Sequence, residues 1–128
     1  MIYADSSAIL KLILPEAESS SMRKYVGSPS ALYTSVVGGT EVRRAVRRHA
    51  PERLAAAEEL LAQMSLIGTS KEVLRIASLL EPVAMRTLDA IHLASALSVR
   101  EQLDAFVAYD NRLIEAARVA GVPVVSPQ

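Results

Sequence analysis

The chain has 128 residues, of which 51% are apolar, and its 14 basic and 14 acidic residues leave a formal net charge of zero. This length suits one domain with a buried core, while the absence of cysteine excludes disulfide frameworks, thiolate metal sites and thiol nucleophiles. Because no apolar run approaches the roughly 20 residues of a membrane span, and because Met1–Asp5 lacks the basic region of a signal peptide, we expect a cytoplasmic protein with a single domain over residues 1–128.

Short apolar runs alternate with segments of helical period, which is typical of a parallel sheet covered by helices. Strands are predicted at Ile2–Ala4, Ala31–Thr34, Ser65–Gly68, Ala105–Ala108 and Val122–Val125. Helices are predicted at Ser6–Leu14, Glu18–Val26, from the second strand to about Ala50, and then at Glu52–Met64, Lys71–Leu80, Leu88–Val99 and Arg112–Ala120. Pro15 and Gly27 end the first two helices. The sequence therefore predicts an α/β layer sandwich.

Four acidic residues occupy places where an open parallel sheet binds ligands. Asp5 follows the first strand and Asp110 follows the fourth. Glu41 lies in the helix after the second strand, and Asp89 begins the helix before the fourth. Because ligands bind beyond the carboxyl ends of such strands, at the point where strand order reverses, the chain can bring all four carboxylates to one end of the sheet.

A cluster of four carboxylates needs a compensating cation to remain ionised. Oxygen ligands without histidine or cysteine suit a hard ion such as Mg²⁺ or Mn²⁺. Such an ion can polarise a phosphodiester and generate hydroxide from bound water, so hydrolysis by in-line attack needs no protein nucleophile. The pattern therefore predicts metal-dependent chemistry on a phosphodiester.

Each acid also has a simpler interpretation. Asp5 and Asp110 can serve as helix N-caps, Glu41 can lie on a solvated helix face, and Asp89 can favour the positive end of its helix. Capping and metal binding are compatible, so these alternatives stay open. A phospho-accepting receiver domain is disfavoured, because a second acid beside Asp5, an aspartate after the third strand and a lysine after the fifth strand are missing. An aspartyl-phosphate phosphatase is disfavoured because its Asp-x-Asp motif would need an aspartate at position 7, which is Ser7.

The motifs that surround these acids resemble those of PIN-domain toxins of the VapC type, in order along the whole chain. The four segments are Ile2-Tyr3-Ala4-Asp5-Ser6-Ser7-Ala8 with Lys11-Leu12 and Pro15-Glu16, Thr34-Ser35 with Thr40-Glu41-Val42-Arg43-Arg44-Ala45, Leu88-Asp89-Ala90-Ile91-His92-Leu93-Ala94, and Val107-Ala108-Tyr109-Asp110-Asn111-Arg112-Leu113. The third segment is the most specific of them.

This resemblance implies a three-layer α/β/α domain with a five-stranded parallel sheet of order 3-2-1-4-5. It also implies a Mg²⁺- or Mn²⁺-dependent endoribonuclease, the toxin of a type II toxin–antitoxin pair. Implied partners are an RNA substrate, a second copy of the chain in a homodimer, and an antitoxin whose C-terminal segment fills the active site. Asp5, Glu41, Asp89 and Asp110 match the metal-site acids of the family, and Ser7 matches a small hydroxyl residue that supports the first acid.

Position 108 departs from the family pattern, because Ala108 stands where the fourth motif often carries Thr or Ser. That hydroxyl would help to orient the first and fourth acids. A second hypothesis is therefore a PIN-like binding or regulatory module with weak or no catalysis, which acts through a partner complex. A nuclease that cleaves DNA is a third option.

Several other side chains are candidates for supporting roles. The RNA-binding candidates are Lys11, Arg44, Arg48, Arg86 and Arg112. For the arginines of the third helix the alternative is a solvated helix face. His92, one turn after Asp89, is either a proton shuttle or a packed, hydrogen-bonded residue. The apolar excess in Leu54–Met64 and Val73–Leu80 predicts either a dimer or antitoxin surface, or helices that are simply buried in the fold.

Overall fold

The computed structural model describes residues 1–128, and its strands are short apolar segments separated by helices. The strands are β1 (Ile2–Ala4), β2 (Leu32–Ser35), β3 (Ser65–Ile67), β4 (Ala105–Val107) and β5 (Val124–Val125). The helices are α1 (Ser6–Leu10), α2 (Ser19–Val26), α3 (Val36–His49), α4 (Leu54–Gln63), α5 (Lys71–Leu79), α6 (Thr87–Ser98) and α7 (Asn111–Val119). Single 3₁₀ turns occur at Pro29–Ala31, Pro51–Arg53 and Arg100–Gln102.

All strand pairs are parallel, and the sheet has the order β3-β2-β1-β4-β5. Ile2 of β1 pairs with Leu32 of β2 on one side and with Ala105 of β4 on the other. The chain moves outward from β1 to β2 and β3, and then returns to the other side of β1 to form β4. The carboxyl ends of β1 and β4 therefore flank the point where strand order reverses, which is where open α/β sheets bind ligands.

Helices cover both faces of this sheet. On one face, Ala4 of β1 and Val107 of β4 pack with apolar side chains of α1 to α4. On the other face, Tyr3 and Phe106 pack with side chains of α6 and α7. Successive strand residues face opposite layers because side chains alternate along a strand. The predicted three-layer α/β/α fold and its strand order are confirmed.

Some predicted elements are shorter in the structure. The helix expected over Ser6–Leu14 ends at Leu10, because the next amides bond three residues back rather than four; Leu12, for example, donates to the carbonyl of Ile9 at 2.9 Å. The last strand contains only Val124 and Val125. Neither change moves the acids that follow β1 and β4.

The apolar helices α4 and α5, for which the sequence allowed either a docking surface or burial in the fold, differ in burial. In α4, Ala57 and Leu61 are buried in the core. In α5 only Val73 is buried, and several large apolar residues of α5, the loop that follows it and the start of α6 remain exposed: Leu74, Leu79, Val83 and Leu88. None of the helices combines the length and apolarity that crossing a membrane requires.

Candidate metal centre

The four acids singled out in the sequence line one open cavity of about 390 Å³. Its walls are formed by Asp5, Ser6, Ser7, Glu41, Arg86, Thr87, Leu88, Asp89 and Asp110. These residues come from the ends of β1 and β4, from α3 and from the starts of α1 and α6. The topology thus brings together carboxylates that are more than a hundred residues apart along the chain.

Asp5 is the most buried acid of this cavity, with only 4% of its surface exposed. Its Oδ1 accepts hydrogen bonds from Ser7 Oγ at 2.7 Å and from the amide of Ala8 at 2.9 Å, so it caps α1. Its own amide donates to the carbonyl of Val107 in β4 at 3.1 Å. Burial raises the pKa of Asp5, and the bonds from Ser7 and Ala8 offset part of that rise.

Asp110 caps the helix on the other side of the cavity. Its Oδ1 accepts from the amides of Arg112 and Leu113, both at 3.0 Å. The capping interpretation is therefore correct for both Asp5 and Asp110. In each case one carboxylate oxygen takes both hydrogen bonds and leaves the other without a protein donor.

Asp89 lies in the first turn of α6 and forms an ion pair with Arg86, whose Nε donates to Oδ2 at 3.0 Å. The two side chains differ in exposure, at 74% for Arg86 and 18% for Asp89. The hydrogen bond to Asp89 raises the pKa of Arg86. A cation from the protein itself therefore neutralises one wall of the cavity.

Glu41 is held by a residue from another helix. Its Oε1 lies 2.6 Å from Nε2 of His92 in α6. The other ring nitrogen of His92, Nδ1, lies 2.8 Å from the hydroxyl of Tyr3 in β1. His92 is 1% exposed, which is the packed, hydrogen-bonded placement that the sequence allowed. Its partners Glu41 and Tyr3 could not be predicted from spacing, because they are distant from His92 along the chain.

Every acid of the cavity has one oxygen bonded to the protein and one without a protein donor. Such a donor set, with oxygen atoms only, fits a hard divalent cation. No three of the Asp, Glu and His side chains, however, lie close enough together to hold a metal ion as they stand. The ligands are therefore gathered around one cavity without being drawn together at one point.

The basic candidates divide into three groups. Arg86 lines the acid cavity, and Arg112 shares with Arg86, Asp89 and Asp110 an adjoining hollow of about 150 Å³. Arg44 and Arg48 instead line a separate hollow of about 500 Å³ at the end of α3, together with Ala45, Arg47 and His49.

Lys11 does not reach the acid cavity. It is buried, and its Nζ pairs with Glu18 at 2.9 Å and with Glu16 at 3.3 Å. The same nitrogen lies 4.6 Å from the centre of the Tyr109 ring. The placement of Lys11 is thus explained by the packing of the segment that links α1 to α2, where its charge is already matched twice.

Ala108, two residues before Asp110, is fully buried. Its carbonyl accepts a hydrogen bond from Ser126 Oγ at 2.6 Å. Position 108 supplies no hydroxyl to Asp5 or Asp110, and the only side-chain hydroxyl bonded to either acid is that of Ser7.

Comparison with known proteins identifies the family to which this fold belongs. The family model for the PIN domain matches residues 2–119. Over 99% of this chain and 97% of the relative, the sequence is 36% identical to Ribonuclease VapC47 of Mycobacterium tuberculosis. Over 98% of this chain and 97% of the relative, it is 38% identical to Ribonuclease VapC46 of the same species.

Solved structures give the same result for the fold. A toxin–antitoxin complex from Klebsiella pneumoniae matches with a TM-score of 0.76 at 18% identity, over 100% of this chain and 98% of the other. The Mycobacterium tuberculosis toxin VapC20, described as cleaving the sarcin–ricin loop, matches with a TM-score of 0.73 at 16% identity, over 99% and 100% of the two chains. The chain belongs to the PIN domain family, in its VapC group.

Proposed function

We propose that this chain, as a single domain over residues 1–128, is a Mg²⁺- or Mn²⁺-dependent endoribonuclease and the toxin of a type II toxin–antitoxin pair. The observation that carries the proposal is that Asp5, Glu41, Asp89 and Asp110 line one cavity at the switch point of the sheet, each with a carboxylate oxygen free of protein donors. Full-length relatives named Ribonuclease VapC support RNA as the substrate.

In this proposal the four carboxylates hold the divalent cation, which when bound supplies hydroxide at neutral pH and neutralises charge on the phosphate. Ser7 orients Asp5 through its bond to Oδ1, and the cap to α1 holds that oxygen in place. Oδ2 of Asp5 then remains for the cation. Since the acids are not drawn together beforehand, part of the binding free energy is spent on moving them inward.

Arg86 has two roles in this proposal. Without a cation it neutralises Asp89. Once Asp89 is a metal ligand, the exposed guanidinium of Arg86 is free to contact a phosphate of the substrate, for which its planar fork is well suited. Arg112, in the adjoining hollow, is the second phosphate contact close to the acids.

Arg44 and Arg48 add positive charge along α3, beyond Arg86 and Arg112 at the acid cavity. Glu41 of the acid cavity lies on the same helix, one turn before Arg44 and two turns before Arg48. Neither arginine forms an ion pair with an acidic side chain. We assign them to RNA phosphates further from the cleaved bond, where charge neutralisation adds affinity.

We further propose a homodimer and a cognate antitoxin as protein partners. Solved structures with this fold include a toxin–antitoxin complex from Klebsiella pneumoniae and VapBC2 from Rickettsia felis bound to a DNA fragment. The exposed apolar side chains of Leu74, Leu79, Val83 and Leu88 provide surface that a partner can cover. Size-exclusion chromatography with light scattering, with and without the antitoxin, measures both assemblies.

The enzyme hypothesis is tested with purified protein and total cellular RNA. Cleavage is expected with Mg²⁺ or Mn²⁺ and is expected to stop with a chelator, and expression is expected to arrest growth. Asp5→Asn and Asp89→Asn remove a metal ligand and should abolish both effects. Asp104→Asn is the matched control. Asp104 is exposed, pairs with the N-terminal amine just before β4, and does not line the cavity that follows the other end of this strand. Undiminished cleavage by the Asp5 and Asp89 variants would contradict the proposal.

A regulatory module with weak or no catalysis is the second candidate. It is favoured by Ala108, which supplies no hydroxyl to the acids, and by the lack of three ligands already drawn together. Calorimetry with Mn²⁺ on the native chain and on Ala108→Thr separates the two candidates. Tight binding with clean RNA turnover by the native chain removes this second candidate, whereas turnover that appears only in Ala108→Thr supports it.

A further inference from the structure

His92 makes two hydrogen bonds that together link three elements of the acid cavity. It lies on α6, three residues after Asp89, and its ring reaches Glu41 on α3 through Nε2 at 2.6 Å. Through Nδ1 it reaches Tyr3 on β1 at 2.8 Å, two residues before Asp5. The chain Tyr3–His92–Glu41 therefore connects the elements that carry three of the four acids.

The carboxylate of Glu41, which accepts hydrogen bonds, and the hydroxyl of Tyr3 together favour a ring proton on Nε2 of His92. The phenol of Tyr3 is fully buried, and its hydroxyl lies 2.8 Å from Nδ1 of His92. That hydroxyl can donate to Nδ1 of His92, which leaves the ring proton on Nε2, where it can donate to the carboxylate of Glu41. Stacking of Tyr3 on Phe106, with ring centres 5.5 Å apart and planes 6° from parallel, holds the phenol in position.

The ring is also confined by the backbone of α3. A Cβ added to Gly38 would lie 2.8 Å from Cε1 of His92 and 2.5 Å from Oγ1 of Thr34. Such contacts are too short, so α3 can approach the ring only because position 38 is glycine. Gly38 lies one helical turn before Glu41. The close approach of α3 to the ring and the bond between Glu41 and His92 therefore lie on adjacent turns of one helix.

We propose that His92 is a positioning residue which holds the carboxylate of Glu41 against the Asp89 helix through an Nε2–H donor maintained by Tyr3. This inference rests on the proposed metal-dependent function. Glu41 is the acid for which positioning matters most, because it extends from a helix on a long side chain that is 27% exposed. Asp5 and Asp110, in contrast, are held by the amides that they cap.

Three variants separate positioning from packing. His92→Leu fills much of the space of the ring but donates no hydrogen bond. His92→Gln keeps an amide donor near the place of Nε2. Tyr3→Phe keeps the stack on Phe106 and removes only the hydroxyl that bonds to Nδ1, and Tyr25→Phe is its matched control because Tyr25 is exposed. Each is measured by thermal melting without metal, by Mn²⁺ calorimetry, and by initial rates on one RNA substrate.

His92→Leu should weaken Mn²⁺ binding by about 10- to 100-fold, the usual effect of removing a hydrogen-bond partner of a metal ligand. His92→Gln should restore binding to within a few-fold of the native chain even if its melting temperature is as low as that of His92→Leu. Tyr3→Phe should bind Mn²⁺ more weakly than Tyr25→Phe, since the ring proton is then free to move to Nδ1.

Equal Mn²⁺ affinity in His92→Leu and the native chain would overturn the inference, as would equal losses in the leucine and glutamine variants. If His92→Leu does not fold, the comparison of Tyr3→Phe with Tyr25→Phe decides, and equal affinities there would overturn it too. A native chain that binds Mn²⁺ without cleaving RNA contradicts the proposed enzyme alone. A native chain that binds no Mn²⁺ contradicts both.

Discussion

Ser7 donates the only side-chain hydroxyl bond to Asp5, from Oγ to Oδ1 at 2.7 Å. The same oxygen accepts a hydrogen bond from the amide of Ala8. Both donors therefore bind Oδ1, and Oδ2 is left for a ligand. Both bonds favour the ionised form of a carboxylate whose pKa is raised by burial. The support that Ser7 gives to Asp5 is therefore both orientational and electrostatic.

Removing this hydroxyl should weaken the metal centre. We expect Ser7→Ala to lower Mn²⁺ affinity by about 10-fold, because a supporting partner of a ligand is lost. Ser7→Thr, which keeps a hydroxyl, should retain most of the affinity. Ser78→Ala is the control, since Ser78 is exposed on α5 and bonds only to the carbonyl of Leu74. Calorimetry checks all three, and an unchanged affinity in Ser7→Ala would show that the bond has no role in metal binding.

Asp5→Asn should stabilise the metal-free fold at neutral pH, because it removes a buried charge and keeps an oxygen that can accept from Ser7 and Ala8. Burial raises the pKa of Asp5 above its usual 3.8, so between the two values the folded chain holds more protons and stability falls as pH rises. The destabilisation caused by the buried charge of Asp5 is fully present above the raised pKa and absent below 3.8.

Melting of Asp5→Asn and the native chain, with chelator and across pH 4–8, measures this effect. A gain of about 1 kcal/mol corresponds to roughly 3–6 °C for a domain of this size. The gain should shrink as pH falls through the raised pKa, and Mn²⁺ should reverse it by stabilising only the native chain. A gain that does not depend on pH would assign the effect to something other than the charge.

Asp110 combines a helix cap with a proposed metal ligand, and two substitutions separate the two roles. Asp110→Asn keeps an oxygen for the amides of Arg112 and Leu113, whereas Asp110→Ala loses it. The alanine variant should lose about 0.5–2 kcal/mol of stability, and the asparagine variant much less. Both should bind Mn²⁺ more weakly than the native chain. If Asp110→Asn binds Mn²⁺ normally, Asp110 is a cap and not a ligand.

Most of the fold was predictable because its signals are local. Apolar strands two to four residues long, the breaks at Pro15 and Gly27, and acids placed just after β1 and β4 are all readable from the sequence. The strand order came from the resemblance of whole motifs to a family. Helix and strand ends were less predictable, as for Ser6–Leu14, because the backbone can tighten into i→i−3 bonds without any change of composition.

The side-chain partners in the site were less predictable, since they depend on packing between distant segments. Glu41 and His92 are 51 residues apart, and no spacing rule joins them. Lys11 belongs to a motif that suggested RNA contact. Its charge, however, is already neutralised by Glu16 and Glu18, which follow it closely in the sequence. Arg44 and Arg48 share a helix with Glu41, but they lie further along α3 and line a different hollow.

The ion pair between Arg86 and Asp89 should compete with metal binding. Arg86→Gln removes the cation that neutralises Asp89, so Mn²⁺ should bind more tightly in the absence of RNA. If Arg86 also contacts a phosphate, the same variant should have a higher KM for RNA. Arg75→Gln is the matched control, because Arg75 forms an exposed pair with Glu72 at the same three-residue spacing, away from the cavity. A lower Mn²⁺ affinity in Arg86→Gln would mean that Arg86 supports the ligand instead of competing for it.

The hollow formed by Arg44 and Arg48 should contribute affinity for RNA that depends on salt and not on the cleaved sequence. Each phosphate contact that is lost should lower the slope of log affinity against log salt by about 0.7 for single-stranded RNA. Binding of a catalytically inactive Asp5→Asn chain to labelled RNA, with Arg44→Gln and Arg48→Gln added singly, measures that slope by fluorescence anisotropy. Arg118→Gln serves as the control, since Arg118 lines neither this hollow nor the acid cavity.

Lys11→Gln gives the contrasting result in the same measurement. Its charge is satisfied by Glu16 and Glu18 in a buried position, so the salt slope should not change while the melting temperature falls, because the two carboxylates lose their partner. Equal salt slopes for the native chain, Arg44→Gln and Arg48→Gln would place the RNA elsewhere, and a lowered slope in Lys11→Gln would restore it as an RNA contact.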